Sequence, residues 1–170
     1  MLTVVQPDYV IRRAVAREQE AICRLVRGER LNPHHLHFEN FAVAVRGDEL
    51  IGASQIRRHP DGSRELGSVV VARPWRGRGI SARIIGTLLK SETGTVYVIT
   101  RRKHADHYAS WGFVAVPPRT APRAIRFNYR VGSLIGTVMA LLQRRPVNRL
   151  TILRRPDVQD RSPKMSRHAL

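Results

Sequence analysis

The sequence predicts a mixed α/β protein: a mostly antiparallel sheet with a central parallel strand pair and flanking helices. Three observations predict it. Short β-branched runs recur along the chain, separated by apolar patterns of helical spacing. The tripeptide Arg46-Gly47-Asp48 joins two such runs as a hairpin. A third run, Glu65 to Ala72, leads into a helical pattern and then a fourth run at Thr95 to Thr100. If that helix is a crossover, the two strands lie parallel.

The elements follow in order. Tyr9 to Ala14 is short and β-rich, a first strand. Arg17 to Val26 sets Ala21, Ile22, Leu25 and Val26 on one helical face, with charges on the other. Residues 28–40 have no clean period and carry an Asn-Pro turn signal, so they read as irregular or short-helical. Phe41 to Val45 and Glu49 to Ile56 are the hairpin strands. Pro60-Asp61-Gly62 marks a turn before Glu65 to Ala72. A helix runs from about Gly79 to Lys90, with Ile80, Ile84, Ile85, Leu88 and Leu89 apolar. His104 to Trp111 is a short helix ended by Gly112, and Phe113 to Val116 a strand stopped by Pro117-Pro118. Residues 119–130 read as basic and irregular. Val131 to Leu142 is helical, and Leu150 to Leu153 the last strand. Residues 1–155 form one domain, with 131–143 as an extra helix, and 156–170 are a polar, disordered tail.

Length and composition set bounds. A chain of 170 residues can bury a sizeable core. One cysteine, Cys23, rules out an internal disulfide and fits a reducing, cytoplasmic compartment. Cys23 sits in an apolar helical pattern and reads as core. No signal peptide is visible at the start. The longest apolar stretch, Val131 to Leu142, falls short of the roughly 20 residues of a membrane span. The formal net charge is +17. From Arg119 onward, 12 Arg and Lys face Asp157 and Asp160 alone, a net of +10. Such a balance favours anionic partners: phosphorylated cofactors, nucleic acid or an acidic membrane face. The plainer reading is an Arg-rich solvated surface.

Residues 69–81 carry the most chemistry: Val-Val-Val-Ala-Arg-Pro-Trp-Arg-Gly-Arg-Gly-Ile-Ser. A strand delivers the chain to a glycine turn, and the turn opens a helix. The first helical turn has backbone N–H groups without intrahelical partners, and it lies at the positive end of the helix dipole. It can therefore seat a phosphate. Glycine lets the ligand approach the backbone closely.

Arg76, Gly79 and Ser81 resemble the acetyl-CoA motif of the GNAT N-acetyltransferases. Ser81 stands where that family has Gly or Ala. Tyr108-Ala109-Ser110-Trp111-Gly112-Phe113 is similar to the family's Tyr-x-x-x-Gly-Phe, in the right order and at a typical interval. Residues 61–69 are similar to a bacterial and plastid subgroup. The resemblance covers about residues 10–116 and implies a GNAT-type sheet.

It also implies a mechanism. Val69, Val70 and Val71 would pair with the pantetheine arm of acetyl-CoA. The N–H groups of Gly77, Arg78, Gly79, Ile80 and Ser81 would hold the pyrophosphate, with Arg76 and Arg78 adding charge. Acetyl passes directly to a primary amine: a protein lysine or N-terminus, or a small amine or amino acid. The amine must lose a proton and the thiolate must gain one. Glu65 is the candidate base, because the histone-type branch has a glutamate four residues before the first pairing position. Period-2 alternation puts Glu65, Gly67, Val69 and Val71 on one face. The structural alternative is an ion pair with Arg64 or Arg58, and Glu39 is a weaker candidate base. Tyr108 is the candidate acid, with a packed aromatic as the alternative.

Other residues weigh less. His34, His35 and His37 lack a partner motif for zinc, so no metal is expected. His104 and His107 lie three apart, where a solvated helix face is the simpler account. Arg101-Arg102-Lys103 is a candidate for the cofactor's 3′-phosphate. Glu29, Glu39, Asp48 and Glu49 are acids that could supply local charge to an acceptor pocket. A different class of function stays open: a non-catalytic basic module on the same scaffold, using residues 119–155 to bind nucleic acid or an anionic membrane. A homodimer is one assembly compatible with the residues.

Overall fold

Four strands of the first part of the chain each pair antiparallel with the next, the last three through short turns and the first two through a helix-bearing connection. They are β1 (Val10–Arg13), β2 (Phe41–Arg46), β3 (Glu49–Arg58) and β4 (Arg64–Val71). The structure is a computed structural model describing residues 8–29, 31, 34–147 and 149–157. The Asn-Pro turn signal and most of the tail lie outside those residues. The chain forms two compact units that meet in sequence between Ser91 and Glu92.

In the first unit, adjacent residues of β3 face opposite ways, and two helices use that. Ala53 joins Phe41, Val43, Val45 and Val70 in a core against Ile22 and Val26 of α1 (Gln19–Gly28). Both helix side chains are fully buried, worth about 1.5–3 kcal/mol each. Gly52 faces α2 (Ile80–Lys90) instead. A Cβ there would stand 3.0 Å from Ile84 Cδ1 and 3.3 Å from Ile80 Cγ2. Glycine at this position therefore sets how closely α2 lies on the strand. Cys23 packs against the α1 core, as its pattern predicts, though it is only half-buried.

The register shifts at two places, between Ala44 and Val45 where β2 meets β3, and within β4 where it meets β3. Gly67 pairs with Gln55 and Val70 with Ala53, so Ser68 and Val69 together oppose Ser54. Ser68 takes φ 51°, and the result is a β-bulge. An extra residue switches the facing of everything beyond it. Val71 thus lies across from Gly52 on the α2 face, while Glu65 and Gly67 pair with residues of the other face. The expected shared face of Glu65, Gly67, Val69 and Val71 does not form. Val70 takes the place beside Glu65 and Gly67.

In the second unit, β5 (Val96–Arg101) pairs antiparallel with β7 (Leu150–Arg155), and β7 with β6 (Val114–Val116). Between β5 and β6 runs a 3₁₀ segment, Arg102–Trp111, ended by Gly112 at φ 78°. The third helix, α3, spans Arg123–Leu142. It begins earlier than predicted: residues 123–130 are helical, not irregular. Pro122 is its N-cap, and Ile125 and Tyr129, one turn apart, pack on Tyr97 and Ile152. Tertiary packing of that stripe stabilises a turn whose polar composition hides it.

Candidate active site

The strand, turn and helix predicted at residues 69–81 form as one continuous piece. β4 ends at Val71, a single 3₁₀ turn covers Arg73–Trp75, and α2 begins at Ile80. Gly77 and Gly79 take φ 77° and 71°. This left-handed region costs any side chain about 1–2 kcal/mol. The α2 N-cap is Gly79, with no side-chain hydrogen bond and no acid in the first turn. The N–H groups at that end therefore point out of the helix, and the dipole is uncompensated.

Three arginines stand at this turn, two of them on one carboxylate and the third on an aromatic ring. Arg76 Nε donates to the Val71 carbonyl at 2.9 Å, and its Nη2 lies 2.7 Å from Glu29 Oε1. Arg73 reaches the same carboxylate at 3.7 Å. Arg76, and less strongly Arg73, hold the Glu29 carboxyl below the usual carboxylate range. Glu29 is thus tied to the turn's own charge. Arg78 lies over the Trp75 ring, 4.8 Å from its centroid, with Arg46 at 5.3 Å. Trp75 is the buried plate that braces the turn.

Glu65 is buried and held at both oxygens. Arg57 Nη1 donates to Oε1 at 3.3 Å, and His59 Nε2 lies 2.9 Å from Oε2. The antiparallel register places Arg57 directly across from it. Gly67 leaves room for the guanidinium, 3.6 Å from where its Cβ would be. Gln55, its amide oriented to satisfy both ends, donates to the His35 carbonyl and accepts from Ser68 Oγ and Arg57 Nη2. Arg57 Nε has no hydrogen-bond partner among the described residues. This network, with Arg57 and Gln55 buried and His59 and Ser68 half-buried, was missed from sequence. The hairpin register through the turn at 59–63 was the signal that pairs position 65 with 57.

Tyr108 belongs to the second unit. Its ring is buried among His107, Trp111 and Phe113, at centroid distances of 5.4, 6.3 and 5.9 Å. Burial pushes its phenol above its ordinary value, while a hydrogen bond with Thr100 pulls back. The hydroxyl is therefore held protonated, as an acid requires. A cleft of about 570 Å³ in the same unit is lined by residues that include Arg102, Tyr129, Ser133, Thr137, Arg149 and Thr151. Its guanidinium and hydroxyl groups suit an anion. Of the basic triplet at 101–103, Arg102 alone lines it. Among the described residues no group of three His, Cys, Asp or Glu could hold a metal ion.

This is the fold of the GNAT acetyltransferases. Residues 37–115 match the family model of the acetyltransferase (GNAT) domain, a little under half of the chain. N-acetylglutamate synthase from Neisseria gonorrhoeae, complexed with coenzyme A and N-acetyl-glutamate, is similar at TM-score 0.66 and 15% identity. The alignment covers 88% of this chain and 35% of that one, so the chain spans about a third of that enzyme. Rv2747 from Mycobacterium tuberculosis, solved with CoA, has TM-score 0.60 and 19% identity, covering 85% of this chain and 97% of its own. Ard1 from Thermoplasma volcanium has TM-score 0.57 and 12% identity, covering 88% and 97%. No curated protein matches the chain.

Proposed function

We propose that the chain is an acetyl-CoA-dependent N-acetyltransferase acting on a primary amine. One observation carries the reading: the bulged strand β4 runs into a turn with glycines at φ 77° and 71°, and the turn opens an uncapped helix. A bulge leaves backbone groups outside the ladder, where an extended arm can pair with them. The turn beyond supplies N–H donors for a pyrophosphate. The CoA-bound neighbours and the family match support the same donor.

The residues then have roles. Val69, Val70 and Val71 offer the backbone rail, although the Val71 carbonyl is already taken by Arg76. Gly77 to Ser81 hold the pyrophosphate. The amine nitrogen attacks the thioester carbon, a C–N bond forms and the C–S bond breaks. Glu65 accepts the amine proton, with His59 on its second oxygen as a relay. Tyr108 donates its proton to the departing thiolate. The run Asp61–Val69 supports a place near the bacterial and plastid subgroup. Calorimetry with acetyl-CoA tests the donor. Release of free thiol across amino acids, polyamines and lysine peptides tests the acceptor. Binding of acetyl-CoA in the micromolar range is expected, and no measurable affinity would overturn the reading.

A further inference from the structure

The helix α3 turns an apolar stripe outward. Leu142, Leu141, Phe127, Leu134 and Ile135 are 76, 70, 67, 66 and 57% exposed. At 100° per residue these positions, with Val138, fall on one arc of the helix, and the buried Ile125 and Ala140 fall opposite. A face this large and apolar marks an interaction surface. The charge around it says what kind. From His107 to Pro156 there are nine arginines and no acid. Arg123 and Arg130, both exposed, border the stripe, and Arg144 and Arg145 close its far end. A second copy of the same face would bring arginines against arginines with no carboxylate between them. An anionic surface with an apolar layer beneath would satisfy both features at once.

We infer that α3 docks the protein on an anionic lipid surface, lying in the interface plane with its leucines inserted among the acyl chains. No helix among the described residues is long and apolar enough to cross a membrane, so the helix lies on the bilayer. The arginines meet lipid phosphates. This docking is independent of catalysis, since no residue of the glycine turn, nor Glu65, nor Tyr108 takes part.

The test is sedimentation of the full chain with vesicles of phosphatidylcholine plus phosphatidylglycerol, against phosphatidylcholine alone, at about 0.15 M salt. Binding to the anionic vesicles at least about tenfold tighter is expected. The pair Leu134→Glu and Leu141→Glu should abolish it without changing the circular dichroism, because both side chains are exposed. In a separate variant, Phe127→Trp should add an emission that shifts to the blue only with anionic vesicles. No binding to those vesicles overturns the proposal. So does binding that the leucine pair leaves unchanged, which would assign it to charge alone. A lipid-free dimer that the same pair disperses would give the face to a second copy and also overturn it.

Discussion

At Tyr108 one position joins observed packing to the proposed acid role. Its ring fills a slot among Trp111, Phe113 and His107, and its hydroxyl meets Thr100. Tyr108→Phe keeps the ring and removes the proton. Turnover should fall by about 10²-fold or more while acetyl-CoA affinity, read by calorimetry, stays within about twofold. A variant with wild-type turnover would remove Tyr108 as the acid. Glu18 is a structural counterpart. Burial opposes its charge, yet the Arg12 fork at 2.8 and 3.0 Å and the Val15 N–H at 2.9 Å take its pKa below the ordinary value. A lowered folded pKa gives stability above the unfolded value, lost as pH falls through the folded one. Glu18→Gln should therefore destabilise by about 1 kcal/mol at pH 7 and by less near pH 3, measured by urea unfolding at both.

Glycines set the geometry of whole elements at two places, for different reasons. At Gly79 nothing lies within 4 Å of where a Cβ would stand, so space is not the constraint. Its φ of 71° is. Gly79→Ala should cost about 1 kcal/mol and weaken acetyl-CoA binding several-fold as the helix start relaxes. Gly52 is the reverse case: no positive φ, but Ile84, Ile80 and the Val70 carbonyl within 3.3 Å. Gly52→Ala should lower stability by about 1–3 kcal/mol by pushing α2 off β3. Both effects are read in thermal melts, and only Gly79→Ala should change the calorimetric affinity beyond what the lost fold explains.

The whole molecule carries +17 formal charge, so its folded state repels itself. Raising NaCl from about 0.02 to 0.3 M should raise Tm by a few degrees as the repulsion is screened. On the proposed reading the same salt should weaken acetyl-CoA binding, because the turn would attract its phosphates through charge. A Tm that falls with salt would show that paired charges such as Arg57 with Glu65 and Arg12 with Glu18 outweigh the repulsion.

The sequence alone determined what is local. A β-branched run, two glycines and an apolar period of 3.6 define the strand, turn and helix at residues 69–81, because each signal acts within a few residues. The short helix at 104–111, which begins two residues earlier in the structure, and its Gly112 stop were legible for the same reason. Pairing across distance decided the rest. The Ser68 bulge exists only because β4 has one residue more than β3 between two matched pairs, and it reversed the expected facing of Val71. The register of that hairpin set Arg57 beside Glu65, so the proposed base sits in an ion pair that the sequence did not show. The start of α3 was hidden by its polar residues until Ile125 and Tyr129 found Tyr97 and Ile152 to pack against. Only tertiary structure could tell which side of that helix is buried, and so which apolar side chains remain facing outward.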